Sequence, residues 1–364
     1  MNRTLQLPSG SNQTLHHPPH ICSGDMDSLN ITMVIVFMMI MIIGILGNAL
    51  VCFTINVCQQ RRQPYNLFIT NLALGDIGVS VFVCGSRVVE NLRVCLSPSY
   101  CAIIMIMDII VSVASVISLV LIAIDRYVAI KFPYLHGKCL TNRLSKWLCL
   151  GVWIYSAFFG ILVNVDWQNF PSLSITVRNN HCNNINGQYI LLLNVVNVYL
   201  PLILLAFVYI RIAVIANHHK HQLNTMRVSD TSQSRMNRRT INATITLTII
   251  YLAFVICWAP SALIAVINYF RQDWFSYLQV YHPLILKCIY YLLICLLPPM
   301  NSIVNPIIYA VRLQSFREGI RRWVQNKQST NVGRNPLWLR LIPMRLLHDP
   351  LMDGENGRSM ATQF

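Results

Sequence analysis

Residues 102–124 read AIIMIMDIIVSVASVISLVLIAI, and this stretch decides the fold. It carries one charge, Asp108, and is long enough to cross a bilayer, for which about 20 apolar residues suffice. Six more runs of this kind lie near 31–57, 66–91, 146–165, 188–214, 243–268 and 285–311. The composition agrees. The 364 residues are 55% hydrophobic and 11% charged, with mean hydropathy +0.51. Soluble domains carry about 25% charged residues. The expectation is an all-α membrane protein, a seven-transmembrane helix bundle over 31–311. Pro298, Pro299 and Pro306 fall in the seventh run, which a spanning helix tolerates where neighbours satisfy the freed carbonyl. No internal repeat is visible, and an odd number of spans argues against the two inverted halves of a transporter.

Orientation follows from Lys and Arg, which collect on the cytoplasmic side. With the N-terminus outside, 22 of the 28 basic residues fall inside and 6 outside. That asymmetry also accounts for the net charge of +15 without nucleic acid, since the basic residues face an anionic inner leaflet. Residues 1–30 are polar and offer three glycan acceptors, Asn2-Arg-Thr, Asn12-Gln-Thr and Asn30-Ile-Thr. Asn242-Ala-Thr also matches, but on the inner side. No apolar core precedes residue 31, so no cleavable leader is expected and span one serves as its own anchor. The twelve cysteines show no metal-type spacing. Cys101 and Cys182 both face the oxidising side, where a bridge between them is consistent with the topology and would contribute about 2–4 kcal/mol. Cys22, Cys95 and Cys288 also fall near the outside. A second bridge among them is allowed, and the sequence does not choose a pair.

Motifs then fall span by span: Gly47-Asn48 in span one, Leu72-Ala73-Leu74-Gly75-Asp76 in span two, and Asp125-Arg126-Tyr127 ending span three. Trp153 follows in span four, Pro201 and Tyr209 in span five, and Cys257-Trp258-Ala259-Pro260 in span six. Span seven ends in Asn305-Pro306-Ile307-Ile308-Tyr309. From about residue 30 to 325 the chain resembles the rhodopsin-like (class A) G-protein-coupled receptors. The resemblance implies a multi-pass plasma-membrane receptor with an extracellular N-terminus, a heterotrimeric G protein as partner, and arrestin as a further one. It implies no enzyme activity and no required cofactor.

The resemblance assigns roles by position. Arg126 changes partners on activation, and Asp125, Tyr127, Tyr209, Asn305, Pro306 and Tyr309 belong to the same switch. Where many relatives hold this arginine with an acid in span six, this chain has Thr240. The expectation is a weak latch, in which Arg126 pairs only with Asp125 in an exposed ion pair contributing roughly 0–1 kcal/mol. Asp76 lies mid-membrane, where a carboxylate is a functional candidate by default. The family pattern places a sodium ion there, with Ser115, Asn301, Ser302 and Asn305 as oxygen donors and Trp258 close by. Such a donor set suits a hard cation. Pro260 reads as the hinge of span six. Phe316, Ile320, Trp323 and Val324 share one helical face flanked by arginines, matching a short amphipathic eighth helix over 312–325 that lies on the bilayer. Residues 326–364 form a cytoplasmic tail. The cluster His218-His219-Lys220-His221 reads as a solvated third inner loop rather than a metal site.

Asp108 precedes Arg126 by eighteen residues, five helical turns, so both share a face about 27 Å apart. That places Asp108 in the family's ligand pocket, with Ser112, Asn194, Asn197, Trp258 and Ser261 as further contacts. A buried acid without a cation is costly, and Arg87 is the one candidate partner from the spans. Receptors for biogenic amines carry an aspartate at the matching position, and it pairs with the ligand's ammonium. The expected ligand is therefore a cationic amine. The departures are Ser261, Ala262 and Pro299, where amine receptors carry aromatic residues, so the cage for an ammonium is incomplete. A peptide receptor that uses Asp108 for a basic side chain is the alternative. A retinal-binding opsin is excluded, because Pro299 stands where the Schiff-base lysine would be. Neither Gly-x-Ser-x-Gly nor His-Glu-x-x-His occurs, which removes two intramembrane enzyme chemistries, and the polar residues line no continuous path for a channel or transporter.

Overall fold

The computed structural model describes residues 27–57, 64–163, 175–178, 181–184, 187–225 and 232–312, together with Arg317 and Ile320. Seven helices in this set are long and apolar enough to cross a membrane: Ser28–Asn56, Pro64–Asn91, Pro98–Lys131, Asn142–Leu162, Gly187–Ile215, Thr248–Phe270 and Pro283–Arg312. These are spans one to seven. Large apolar side chains point outward as well as inward. Leu46, Ile154, Ile203 and Ile256 are between 62% and 68% exposed. Such an all-round apolar helix surface is stable where the solvent is lipid. The chain is thus a multi-pass membrane protein of the expected class.

Local chemistry sets the helix ends. Ser97 caps span three, accepting from the Tyr100 N–H at 3.1 Å with Pro98 just inside the first turn. Thr141 caps span four in the same way, with the Leu144 N–H at 3.3 Å. Proline widens the helices from within. A wide π turn, Val195–Tyr199, lies just ahead of Pro201, and another, Ile289–Leu296, just ahead of Pro298 and Pro299. Proline lacks an N–H and crowds the carbonyl four residues back, so the preceding turn opens.

Spans two and three approach closely. A Cβ on Gly78 would meet Val111 Cγ1 at 2.5 Å, and one on Gly75 would meet the Ser115 backbone N at 3.2 Å. Glycine at these two positions lets the helices touch. The main core fills the half of the bundle toward Arg126, where Phe68, Leu72, Ile122, Leu205, Ile212, Phe254 and Tyr309 are buried together.

Several features were not expected. Strands β1 (Ile175–Arg178) and β2 (His181–Asn184) form an antiparallel hairpin, with Val177 opposite Cys182. Spans five and six continue as helices to Thr225 and from Ser232, so the 218–221 cluster sits on helical backbone and not in a loop. A further helix, Gln272–Tyr281, links spans six and seven. Of the eighth helix only Arg317 and Ile320 are described. Both are helical, and Ile320 packs against the main core. Asn2 and Asn12 lie outside the described residues. Of the three expected glycan acceptors, Asn30 is the one described. It sits in the first turns of span one, is buried, and with its amide oxygen turned to Arg93 accepts from Nε at 2.9 Å.

Candidate functional site: a charged pocket, a central polar cluster and a switch

At the end of the bundle holding Cys101, the disulfide Cys101–Cys182 ties β2 to span three, with the two Cα atoms 5.3 Å apart. Cys95 is also disulfide-bonded while Cys288 is free, which removes Cys288 from the second pairing; Cys22 lies outside the described residues. Beneath the bridge stands Asp108, half-buried, accepting from Ser112 Oγ at 3.2 Å on Oδ1. Arg87 is within electrostatic reach of Asp108 but hydrogen-bonds elsewhere. Its Nη1 donates to Glu90 Oε2 at 2.9 Å. Glu90 is 3% exposed, and its Oε1 accepts from the Cys182 backbone N–H at 3.4 Å. The disulfide, the hairpin and the pocket charges thus form one connected unit.

Glu90 escaped the sequence reading. The signal was present, since Arg87 and Glu90 are three residues apart on one helix and so are neighbours. The other expected contacts are present but turned inward. Asn194 and Asn197 donate to their own helix, to the Ile190 and Leu193 carbonyls at 2.8 and 3.2 Å. Ser261 donates to the Trp258 carbonyl at 2.9 Å. Asn197 Oδ1 and Trp258 Nε1 are buried without a hydrogen-bond partner.

Midway through the bundle Asp76 is fully buried. Its Oδ1 accepts from Ser115 Oγ at 2.7 Å and from Ser302 Oγ at 3.0 Å, and its Oδ2 from Asn305 Nδ2 at 2.8 Å. Spans two, three and seven therefore meet at one carboxylate. Asn48 of span one joins them, donating to the Ser302 carbonyl at 2.9 Å. Asn301, the fifth expected member, is buried but makes no bond to Asp76. The oxygens Asn48 Oδ1, Asn301 Oδ1 and Asn305 Oδ1 are buried with no donor facing them. Buried acceptors in that state need a donor or a cation, and the Asp76 carboxylate with its Ser115, Ser302 and Asn305 partners is a donor set of the kind a small hard cation takes.

At the far end of span three the weak exposed latch is corrected. Asp125 is 1% exposed. Its Oδ2 takes Arg126 Nε at 2.8 Å and Nη2 at 2.6 Å. Its Oδ1 faces His136 Nε2 at 2.9 Å, presented by the short helix Pro133–Cys139. The Arg126 guanidinium lies 3.7 Å over the Tyr65 ring of span two. An ion pair with one buried carboxylate and a cation–π contact is worth more than an exposed pair. Tyr209 and Tyr309 are buried in the same core, and the Tyr309 hydroxyl has no partner among the described residues. Tyr127 stands apart, near Lys131.

Seven spans, a buried carboxylate at mid-depth and a charged pair at one end make a seven-helix membrane protein with polar sites inside its bundle. The family described as "7 transmembrane receptor (rhodopsin family)" matches residues 47–309, and the chain belongs to it. Among its relatives, the adenosine receptor A2b of Gallus gallus is 26% identical over 317 residues, covering 80% of this chain and 88% of the relative. The adenosine receptor A2a of Homo sapiens is 26% identical, covering 79% and 70%. The histamine H2 receptor of Homo sapiens is 27% identical over 307 residues, covering 82% and 80%.

Proposed function

We propose that this receptor binds a cationic amine from the extracellular side at Asp108 and activates a heterotrimeric G protein, with its N-terminus outside. The carrying observation is the charge count at the pocket. Asp108 and Glu90 are two acids and Arg87 is one cation, so the site has a net charge of −1. Glu90 already matches Arg87, and Asp108 is left to a ligand. A neutral ligand, such as the adenosine that names other relatives, would leave Asp108 without a cation. Ligand binding at Asp108 then acts along span three, whose inner end carries the Asp125–Arg126 pair, and arrestin would recognise the same activated face.

A sodium ion is proposed at the central cluster, held by Asp76, Ser115, Asn301, Ser302 and Asn305. It would supply a positive charge that favours the resting packing of spans two, three and seven.

The test is Asp108→Asn, which keeps shape and removes charge. It should weaken a cationic agonist by roughly 2–5 kcal/mol, the scale of breaking a desolvated charge pair, and leave surface expression intact. Guanine-nucleotide exchange in membranes, measured against agonist concentration, reads the effect. Unchanged potency at a well-expressed Asp108→Asn receptor would sink the reading.

A further inference from the structure

Arg87 is not needed to bind a simple ammonium. A cation beside the counter-ion repels the ligand's charge and competes for Asp108. Yet the pocket holds this arginine firmly. Glu90 fixes Nη1 at 2.9 Å, and Glu90 is itself fixed by the Cys182 N–H at 3.4 Å. The arginine therefore cannot swing away without leaving a buried acid behind. The Glu90 contact is the single hydrogen bond of its side chain among the described residues, and its Nε is buried with no acceptor there. Most of the five N–H donors of a guanidinium are thus uncommitted among the described residues, within electrostatic reach of an Asp108 whose Oδ1 accepts from Ser112.

We infer that Arg87 is a second ligand contact, and that the ligand carries a neutral hydrogen-bond acceptor close to its ammonium. The inference rests on the amine reading above and narrows its ligand class. The ammonium meets Asp108, and a hydroxyl, carbonyl or ring nitrogen accepts from the guanidinium. That bond offsets the repulsion a plain amine would suffer. A carboxylate in the same place is disfavoured, because Glu90 already balances the charge of Arg87 and the site with Asp108 is net negative. The acceptor is therefore uncharged, and the ligand is a monocation and not a zwitterion.

Three matched probes separate these cases on the purified full-length receptor: 2-phenylethylamine, its hydroxylated analogue 2-amino-1-phenylethanol, and phenylalanine. Apparent affinity is read from ligand-induced thermal stabilisation. A hydrogen bond to a charged group corresponds to roughly 10- to 100-fold in affinity, so the hydroxyamine should bind tighter than the plain amine by about that factor, and phenylalanine weakest. The double variant Arg87→Gln/Glu90→Gln keeps the net charge of the site and should erase the preference while leaving the plain amine within severalfold. Arg87→Lys, which keeps the charge and changes the donor geometry, should reduce the preference. Equal binding of the two amines, or a preference that survives in the double variant, overturns the inference while the amine reading stands. Tightest binding by phenylalanine overturns the neutral acceptor. If neither amine binds at millimolar concentration, the amine reading itself fails. Should the double variant not fold, the three-probe comparison on the unmodified receptor and Arg87→Lys still decide.

Discussion

His136→Phe is the sharpest probe of the switch. In the structure both Asp125 oxygens are used, Oδ2 by Arg126 at 2.6 and 2.8 Å and Oδ1 by His136 at 2.9 Å. Phenylalanine fills the imidazole volume but donates nothing, so Oδ1 is left buried without a donor. Leaving a buried acceptor unsatisfied costs roughly 1–3 kcal/mol. The penalty falls on the arrangement in which Asp125 is enclosed and holds Arg126. It does not fall on one in which Arg126 has moved to another partner and Asp125 has met water. A 1–3 kcal/mol bias corresponds to roughly a 5- to 150-fold change in the equilibrium between two states. The assay is ligand-free guanine-nucleotide exchange in membranes, compared at equal surface amounts of receptor. Basal exchange should rise in His136→Phe and rise less in His136→Gln, which keeps an N–H donor. Basal exchange at or below that of the unmodified receptor would refute the claim that His136 stabilises the resting pair.

Three further outcomes follow from the geometry. Sodium should lower agonist affinity, and Asp76→Asn should abolish that dependence; agonist affinity insensitive to sodium in the unmodified receptor would leave the Asp76 cluster a structural one. Replacing Cys101 or Cys182 by Ser should reduce surface expression and release the Cys182 N–H from Glu90, so agonist potency should fall as well; non-reducing peptide mapping that finds both thiols free would contradict the bridge. Gly78→Ala places a Cβ 2.5 Å from Val111, and such overpacking costs about 1–3 kcal/mol; the melting temperature of the purified receptor should drop, and Gly78→Ala/Val111→Ala should restore part of it.

Much of this was legible before the structure. Apolar run length alone located seven spans, because the bilayer imposes it. Asp76, Ser115, Ser302 and Asn305 came together as the motifs implied. What stayed hidden depended on contacts the run lengths do not encode. His136 lies eleven residues beyond Asp125 and returns to it only because Pro133 starts a new helix that folds back. Tyr65 reaches Arg126 from a different span. Glu90 stands three residues from Arg87 on one helix, but its contact with the Cys182 N–H depends on a hairpin that run length does not encode. The extensions of spans five and six are polar, so apolar run length ended those helices early. The Asn30 triplet records only three letters, and the helix that buries it begins two residues earlier.

Span two is the constant partner of span three. Arg87 faces the field of Asp108, Asp76 takes the Ser115 hydroxyl at 2.7 Å, and Tyr65 lies under Arg126 at 3.7 Å. Gly75 and Gly78 bring the two backbones together between these levels, with no room for a methyl group at Gly78. Span four joins the same block, since Trp153 Nε1 donates to Asn71 Oδ1 at 2.9 Å and Asn71 Nδ2 to Ser118 Oγ at 2.8 Å. Packing this tight shifts between discrete arrangements and does not bend gradually. Spans five, six and seven are built differently. Each carries an internal proline, Pro201, Pro260 or Pro306; wide turns do not separate the two groups, since spans five and seven carry them and span two does as well, at Val79–Cys84. If a ligand is held at Asp108 as proposed, its signal meets the closely packed spans two, three and four on one side and three proline-bearing helices on the other. Span seven is tied to that block through Ser302 and Asn305 on Asp76, so movement of span seven against spans two, three and four would pull on that carboxylate.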